Sequence, residues 1–132
     1  MEGDALVRAA VNALEDIKAR DIVVLDVRKL TSLFDTVIVA SGDSARQTKA
    51  LARHVQDVAR TCGAPVAGVE GEASGEWVLV DLGDVVVHIM QPAVRGYYNL
   101  EELWGGPRTS PARPPATKPP ASRSGSSAGT VP

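Results

Sequence analysis

The stretch that decides the fold is Trp77-Val-Leu-Val-Asp-Leu-Gly-Asp-Val-Val-Val-His-Ile-Met90. Two runs of strand-forming residues flank Gly83-Asp84, a pair typical of the two-residue turn of a β-hairpin. If this pair forms the loop, Leu82 lies opposite Val85, and every second residue outward from them points to the same side of the sheet. The sequence therefore predicts a hairpin with two distinct faces.

Neither face of this hairpin carries the row of polar side chains expected where a sheet meets water. The first face is wholly aliphatic and is the predicted core: Val78, Val80, Leu82, Val85, Val87 and Ile89. The opposite face, called here the second face, carries Trp77, Leu79, Asp81, Val86, His88 and Met90. Two interpretations are open. A helix of the same domain covers the second face, or part of it stays exposed as a binding site with polar specificity from Asp81 and His88.

The segments before the hairpin alternate between helical and strand patterns. Apolar residues recur at helical spacing from Leu6 to Ile17, and β-branched runs at 21–27 and 35–40 predict two short strands. Ser44 and Gln47 form a capping-box pattern that begins a second helix, and another short strand is expected at 66–69. We predict an α/β domain of the α+β type, in which helices flank a mixed β-sheet.

The composition changes after the last aromatic residue. From Gly105 to Pro132 the chain consists largely of Pro, Ser, Ala and Gly, which predicts a folded domain at 1–104 and a disordered tail at 105–132. Just before the tail, Asn99 is expected to cap a short helix that folds back on the domain with Leu100, Leu103 and Trp104. Tyr98 and Trp104 are also residue types favoured as interface anchors.

The overall composition excludes several classes of function. A formal net charge of -2 argues against binding nucleic acid mainly through phosphates, so no direct nucleic-acid readout is expected. Cys62 is the single cysteine, and the two histidines lie far apart, so we expect no metal site and no cofactor. No apolar run approaches the roughly 20 residues that span a bilayer, and the acidic N-terminus is unlike a signal peptide. These features predict a cytoplasmic protein without a membrane partner.

Catalytic chemistry has weak support. Asp81 and Asp84 are close enough in sequence to hold magnesium, but aspartate is common in turns and no third acidic residue aligns with them. Residues 41–44 could bind an anion at a helix N-terminus, yet they lack the lysine and glycine spacing of a P-loop. No nucleophile stands near His88 in sequence. We therefore predict no catalytic residues and no enzyme activity.

Four stretches together resemble the ribosomal silencing factor family, which is also called RsfS or Iojap-like. They lie at 21–27, at 34–47, in the hairpin region at 71–88 and in Tyr-Asn-Leu-Glu-Glu-Leu-Trp at 98–104. The resemblance implies a fold related to nucleotidyltransferases without their catalytic acidic triad. Fold alone does not carry the activity across.

The resemblance also implies a partner, the large ribosomal subunit, bound through its ribosomal protein numbered fourteen where the small subunit docks. Occupying that surface blocks subunit joining and represses translation, and some members form homodimers. Carried onto this chain, the partner-binding residues are Trp77, Leu79, Asp81, His88, Tyr98 and Trp104. The segment at 90–96 departs from the family because many relatives are more acidic near Ala93 and Gly96.

Two other hypotheses remain from the residues themselves. One is a metal-dependent nucleotidyltransferase-like enzyme that uses Asp81 and Asp84. The other is an interaction module whose second face serves a homodimer.

Overall fold

A computed structural model describes residues 3–98 of the chain. These residues form three helices and five strands, and the predicted α+β architecture is confirmed. In chain order the elements are α1 (Gly3–Asp16), β1 (Arg20–Asp26), β2 (Thr36–Ser41), α2 (Ala45–Thr61), β3 (Gly68–Glu70), β4 (Trp77–Asp81), β5 (Val85–Met90) and α3 (Pro92–Tyr98).

The five strands form one mixed sheet in the order β1-β2-β5-β4-β3. The pairing of β2 with β5 is parallel, and the other three pairings are antiparallel. A parallel pair needs a long crossover, which here comprises α2 together with β3 and β4. The strand that directly follows α2 therefore does not pair with β2, as a simple strand-helix-strand unit would; β3 lies at the far edge, beside β4.

The hairpin of β4 and β5 has the predicted turn and register. The backbone N–H of Leu82 donates to the carbonyl of Val85 at 2.9 Å, and Gly83 has φ of 89°. A glycine with positive φ at the first loop position is typical of a type II′ turn, whose twist matches that of the strands. Across the two strands Trp77 pairs with Met90, Leu79 with His88 and Asp81 with Val86.

The first face of the hairpin is buried beneath α1 and α2, as predicted. Leu14 from α1, Leu51 and Val55 from α2, and Ile38 from β2 join it in one core, each at most 1% exposed. All six predicted core residues of the hairpin belong to this cluster: Val78, Val80, Leu82, Val85, Val87 and Ile89. The strictly aliphatic face is thus explained by packing against two amphipathic helices.

The N-terminus of α2 also joins the two helices. Ser44 Oγ accepts the backbone N–H of Gln47 at 3.1 Å, as the capping pattern predicts. Gln47 does not return this bond to Ser44; its Oε1 accepts the N–H of Asp43 at 2.7 Å. Its Nε2 donates to the carbonyls of Ile17 and Lys18, which follow α1. One glutamine thereby caps α2 and holds the end of α1 against it.

The helix α3 was not predicted. It begins with Pro92, a residue suited to the first turn because that turn leaves its N–H groups without helical partners. The helix predicted after Asn99, Trp104 and the domain boundary at 104 lie outside the described residues. Within residues 3–98 no helix combines the length and apolar character that crossing a bilayer requires.

Candidate docking surface

The second face of the sheet has two parts. The part on β2 and β5 is sealed, and the part on β4 and β3 is only half-buried. On β2 and β5 its side chains are completely buried: Val37, Val39, His88 and Met90. Their cover comes from the connection between β1 and β2 and from α3, through Val27, Leu30, Phe34 and Val94. Cover by the same domain therefore applies to the part on β2 and β5, and partial exposure applies to the part on β4. Val86, 6% exposed, lies on the sealed side.

Hydrogen bonds fix α3 beside the start of β4. The backbone N–H of Gln91 donates to the carbonyl of Glu76 at 2.9 Å, and its side-chain Nε2 donates to the carbonyl of Gly75 at 3.2 Å. Further along α3, Arg95 Nη1 donates to Ser41 Oγ at 2.8 Å. These bonds anchor α3 beside the start of β4 and the end of β2.

The half-exposed part lies along β4 and the edge strand β3. Trp77, Leu79 and Asp81 are half-buried and alternate with core residues, as the strand period requires. The register puts Leu79 between His88 of β5 and Glu70 of β3. Directly opposed residues share a face, so the exposed Glu70 joins this surface. We call Glu70, Trp77, Leu79 and Asp81 the docking surface.

Glu70 was missed by the sequence reasoning. The strand was expected at 66–69, whereas β3 runs over Gly68–Glu70. Extending that strand by one residue would have included Glu70. The assignment of the residue to the second face depends on its pairing with β4, and only the fold supplies that pairing.

His88 requires a correction. It was expected to offer a polar group to a partner, but its side chain is 0% exposed because the β1–β2 connection and α3 seal this half of the face. Its Nδ1 accepts the indole Nε1–H of Trp77 at 2.9 Å, and the two ring centroids are 5.8 Å apart. Burial lowers the pKa of His88 to about 4, so the imidazole is neutral at pH 7. Since Nδ1 accepts, the ring proton is assigned to Nε2.

The two aspartates of the enzyme hypothesis make hydrogen bonds in and around the hairpin turn. Asp81 Oδ1 accepts the backbone N–H of Gly83 at 2.9 Å. The carbonyl of Asp84 accepts the N–H groups of Asp35 and Thr36 at 2.8 and 3.1 Å. Among the described residues, His, Cys, Asp and Glu form no group of three or more that could hold a metal ion. A side-chain bond to the turn thus explains Asp81, and the backbone of Asp84 joins the turn to the start of β2.

The connection before β4 requires a glycine at position 71. Gly71 has φ of 86°, a conformation that other residues rarely adopt. A Cβ at this position would also collide with the carbonyl oxygen of Trp77. The close approach of these two backbones sets where β4 begins.

Two of the predicted site residues lie at or beyond the end of the described chain. Tyr98 is the last residue of α3, and its side chain is outside the described part. Trp104 is outside it altogether. The structure brings Trp77, Leu79 and Asp81 together on β4, with the buried His88 beside them on β5, and Tyr98 and Trp104 stay predictions.

Comparison with known proteins identifies one family. The family model described as "Ribosomal silencing factor during starvation" matches residues 1–130. The chain is 58% identical over 110 residues to the ribosomal silencing factor RsfS of Chromobacterium violaceum, which covers 83% of this chain and 90% of that protein. It is 33% identical over 97 residues to the mouse protein named mitochondrial assembly of ribosomal large subunit protein 1, covering 71% of this chain and 42% of that protein.

A solved structure agrees with these sequence relatives. The crystal structure of a Chromobacterium violaceum protein matches with a TM-score of 0.79 and 56% identity. The match covers 89% of this chain and 98% of that one. The fold described above is therefore shared with a relative known from experiment.

Proposed function

Because the chain belongs to the ribosomal silencing factor family, we propose that it binds the large ribosomal subunit and sterically prevents the small subunit from joining. The proposed contact is the ribosomal protein numbered fourteen of the large subunit, and the proposed location is the cytoplasm. The observation that carries this proposal is the docking surface, where an indole and a leucine are only half-buried along β4, beside the sealed half of the same face.

The chemistry of the docking surface suits a protein partner. Tryptophan is among the residues that most often dominate binding energy, and Leu79 extends the apolar area beside Trp77. The carboxylates of Glu70 and Asp81 lie on the two strands that form this edge. They would favour a basic protein surface and speed its encounter with the domain. We therefore propose an apolar contact whose orientation is set by acidic groups.

Inhibition by this route needs no reaction. A domain that occupies the surface where the small subunit docks excludes it by volume alone. The name of the mouse relative refers to the large ribosomal subunit, which supports that subunit as the partner. The Chromobacterium violaceum relative is named a silencing factor, which describes a regulatory role.

Co-sedimentation with purified ribosomal subunits tests the proposal. The full chain is mixed separately with isolated large and small subunits, and each mixture is centrifuged through a sucrose cushion. We expect the protein in the pellet with large subunits and in the supernatant with small ones. Recovery in the supernatant with both, or equal pelleting with both, would contradict the proposed partner.

A further inference from the structure

We infer that His88 is a positioning residue, whose Nδ1 holds the indole of Trp77 in the orientation that docks. This inference rests on the proposed function and deepens it, because it assigns a role in binding to a side chain that no partner can touch. It also accounts for a histidine in a place where the surrounding residues are apolar.

The geometry joins a buried acceptor to a half-exposed donor. Leu79 pairs with His88 and Trp77 with Met90, so His88 is the diagonal neighbour of Trp77 on the same face of two hydrogen-bonded strands. The Nε1 to Nδ1 distance of 2.9 Å is that of a well-formed hydrogen bond. Because the imidazole is buried at 0% exposure, the acceptor is itself held in place. An indole fixed before binding loses less conformational entropy when a partner arrives.

Stability does not explain a histidine at this position. Its Nε2 is buried and has no hydrogen-bond partner among the described residues. Val39 and Met90, its fully buried neighbours on the second face, are apolar. A buried donor without a partner destabilises a fold, and an apolar residue of similar volume would avoid that penalty. A buried polar group that costs stability without a compensating bond is expected at functional sites.

Two substitutions separate positioning from support of the fold. His88→Leu keeps roughly the volume and removes the acceptor, whereas His88→Asn keeps a side-chain acceptor near Nδ1. The first readout is the exchange rate of the Trp77 indole N–H in the free protein, measured by NMR. The signal is assigned by its loss in Trp77→Phe. We expect faster exchange in His88→Leu and slower exchange, closer to wild type, in His88→Asn.

The second readout is affinity for large ribosomal subunits, with the urea midpoint measured in parallel. We expect His88→Leu to bind about tenfold more weakly than wild type, because the hydrogen bond that orients the indole is lost. Its urea midpoint should be unchanged or higher. His88→Asn should recover part of the affinity. If His88 only supported the fold, His88→Leu would give the opposite result: a lower urea midpoint and an unchanged affinity of the folded protein.

The outcomes are distinguishable from those that test the proposed function. Equal affinity of wild type and His88→Leu, or equal indole exchange in the two, would overturn the inference while leaving ribosome binding intact. Failure of the wild-type protein to bind large subunits would overturn the proposed function and the docking role of His88 with it. The exchange rates would still decide whether His88 holds the indole.

Discussion

At the scale of single residues, a neutral histidine in an apolar setting makes the stability of this domain depend on pH. The pKa of His88 is about 4 in the folded protein against 6.5 for the free side chain. Between these two values the unfolded chain binds more protons than the folded one, so the free energy of unfolding falls as the pH falls. The loss should reach about 3 kcal/mol near pH 4.

Urea unfolding at pH 7 and at several values down to pH 4 measures this loss, with His88→Leu as the control. The variant should lose less stability than wild type across this range. Asp26 is a second group to consider, because a hydrogen bond from the Arg28 side chain lowers its pKa to about 2. Its contribution is lost mainly below its ordinary pKa of 3.8 and is shared by both proteins, so the difference between the two curves above pH 4 reports His88. Parallel curves for the two proteins would contradict the buried neutral imidazole.

Gly71 and Gly63 provide a matched pair of substitutions to alanine. Both have positive φ, 86° and 83°, but only at Gly71 would the new Cβ meet another atom, the carbonyl oxygen of Trp77. Gly63→Ala should lower the free energy of unfolding by about 1 kcal/mol, from backbone strain alone. Gly71→Ala should cost at least about 2 kcal/mol more, because β4 must move. Equal urea midpoints for the two variants would show that the close approach is absent.

Individual site residues could be predicted only as far as the hairpin determines them. Trp77, Leu79 and Asp81 follow from a two-residue loop and the alternation of strand faces, both of which are local. The burial of His88 depends on Phe34 and Val94, which reach the second face from outside the hairpin. No periodicity within the hairpin shows which half of its second face is covered.

At the scale of elements, the same limit separates what was predicted from what was missed. The long amphipathic pattern of α2 and its Ser44 cap could be read directly from the sequence. By contrast, α3 has seven residues, too few for a helical period to be evident. The position of β3 at the sheet edge, which brings Glu70 to the docking surface, depends on long-range pairing.

The hydrogen bonds of Ser44 and Gln47 at the start of α2 predict how much stability each residue contributes. Ser44→Ala removes one capping bond and should cost about 1 kcal/mol of stability. Gln47→Ala removes the bond to Asp43 and both bonds to the end of α1, so it should cost more, about 2 kcal/mol. Urea unfolding checks both, with the exposed Arg53→Ala on the same helix as control. A cost for Gln47→Ala no larger than for Arg53→Ala would contradict the role of these bonds.

At the scale of the whole molecule, the proposed function gives the two faces of one sheet different tasks. Over β2, β4 and β5 the first face is covered by two helices and forms the larger core, whereas Val24 on β1 is exposed. The second face is sealed over β2 and β5 and left accessible along β4, so binding can occur there without unfolding the core. Strand register then places Leu79 of the docking surface opposite Glu70 of the edge strand.

A homodimer that used the docking surface would compete with the ribosome for it. If such a dimer forms, light scattering should show an average mass that decreases as the protein is diluted. Trp77→Ala should shift the protein toward the monomer. Added large subunits should likewise lower the fraction of the protein that is dimeric. A dimer unaffected by Trp77→Ala would have to use another surface.

Subunit joining in the presence of Trp77→Ala tests the central claim most directly. Purified subunits are combined with wild type, with Trp77→Ala, or with Val24→Ala, an exposed valine 46% accessible whose position on β1 faces the opposite side of the sheet. Circular dichroism confirms that each variant is folded. Wild type and Val24→Ala should block joining, whereas Trp77→Ala should lose about 2 kcal/mol of binding, or about 30-fold in affinity, and fail to block. Full inhibition by folded Trp77→Ala would contradict the account.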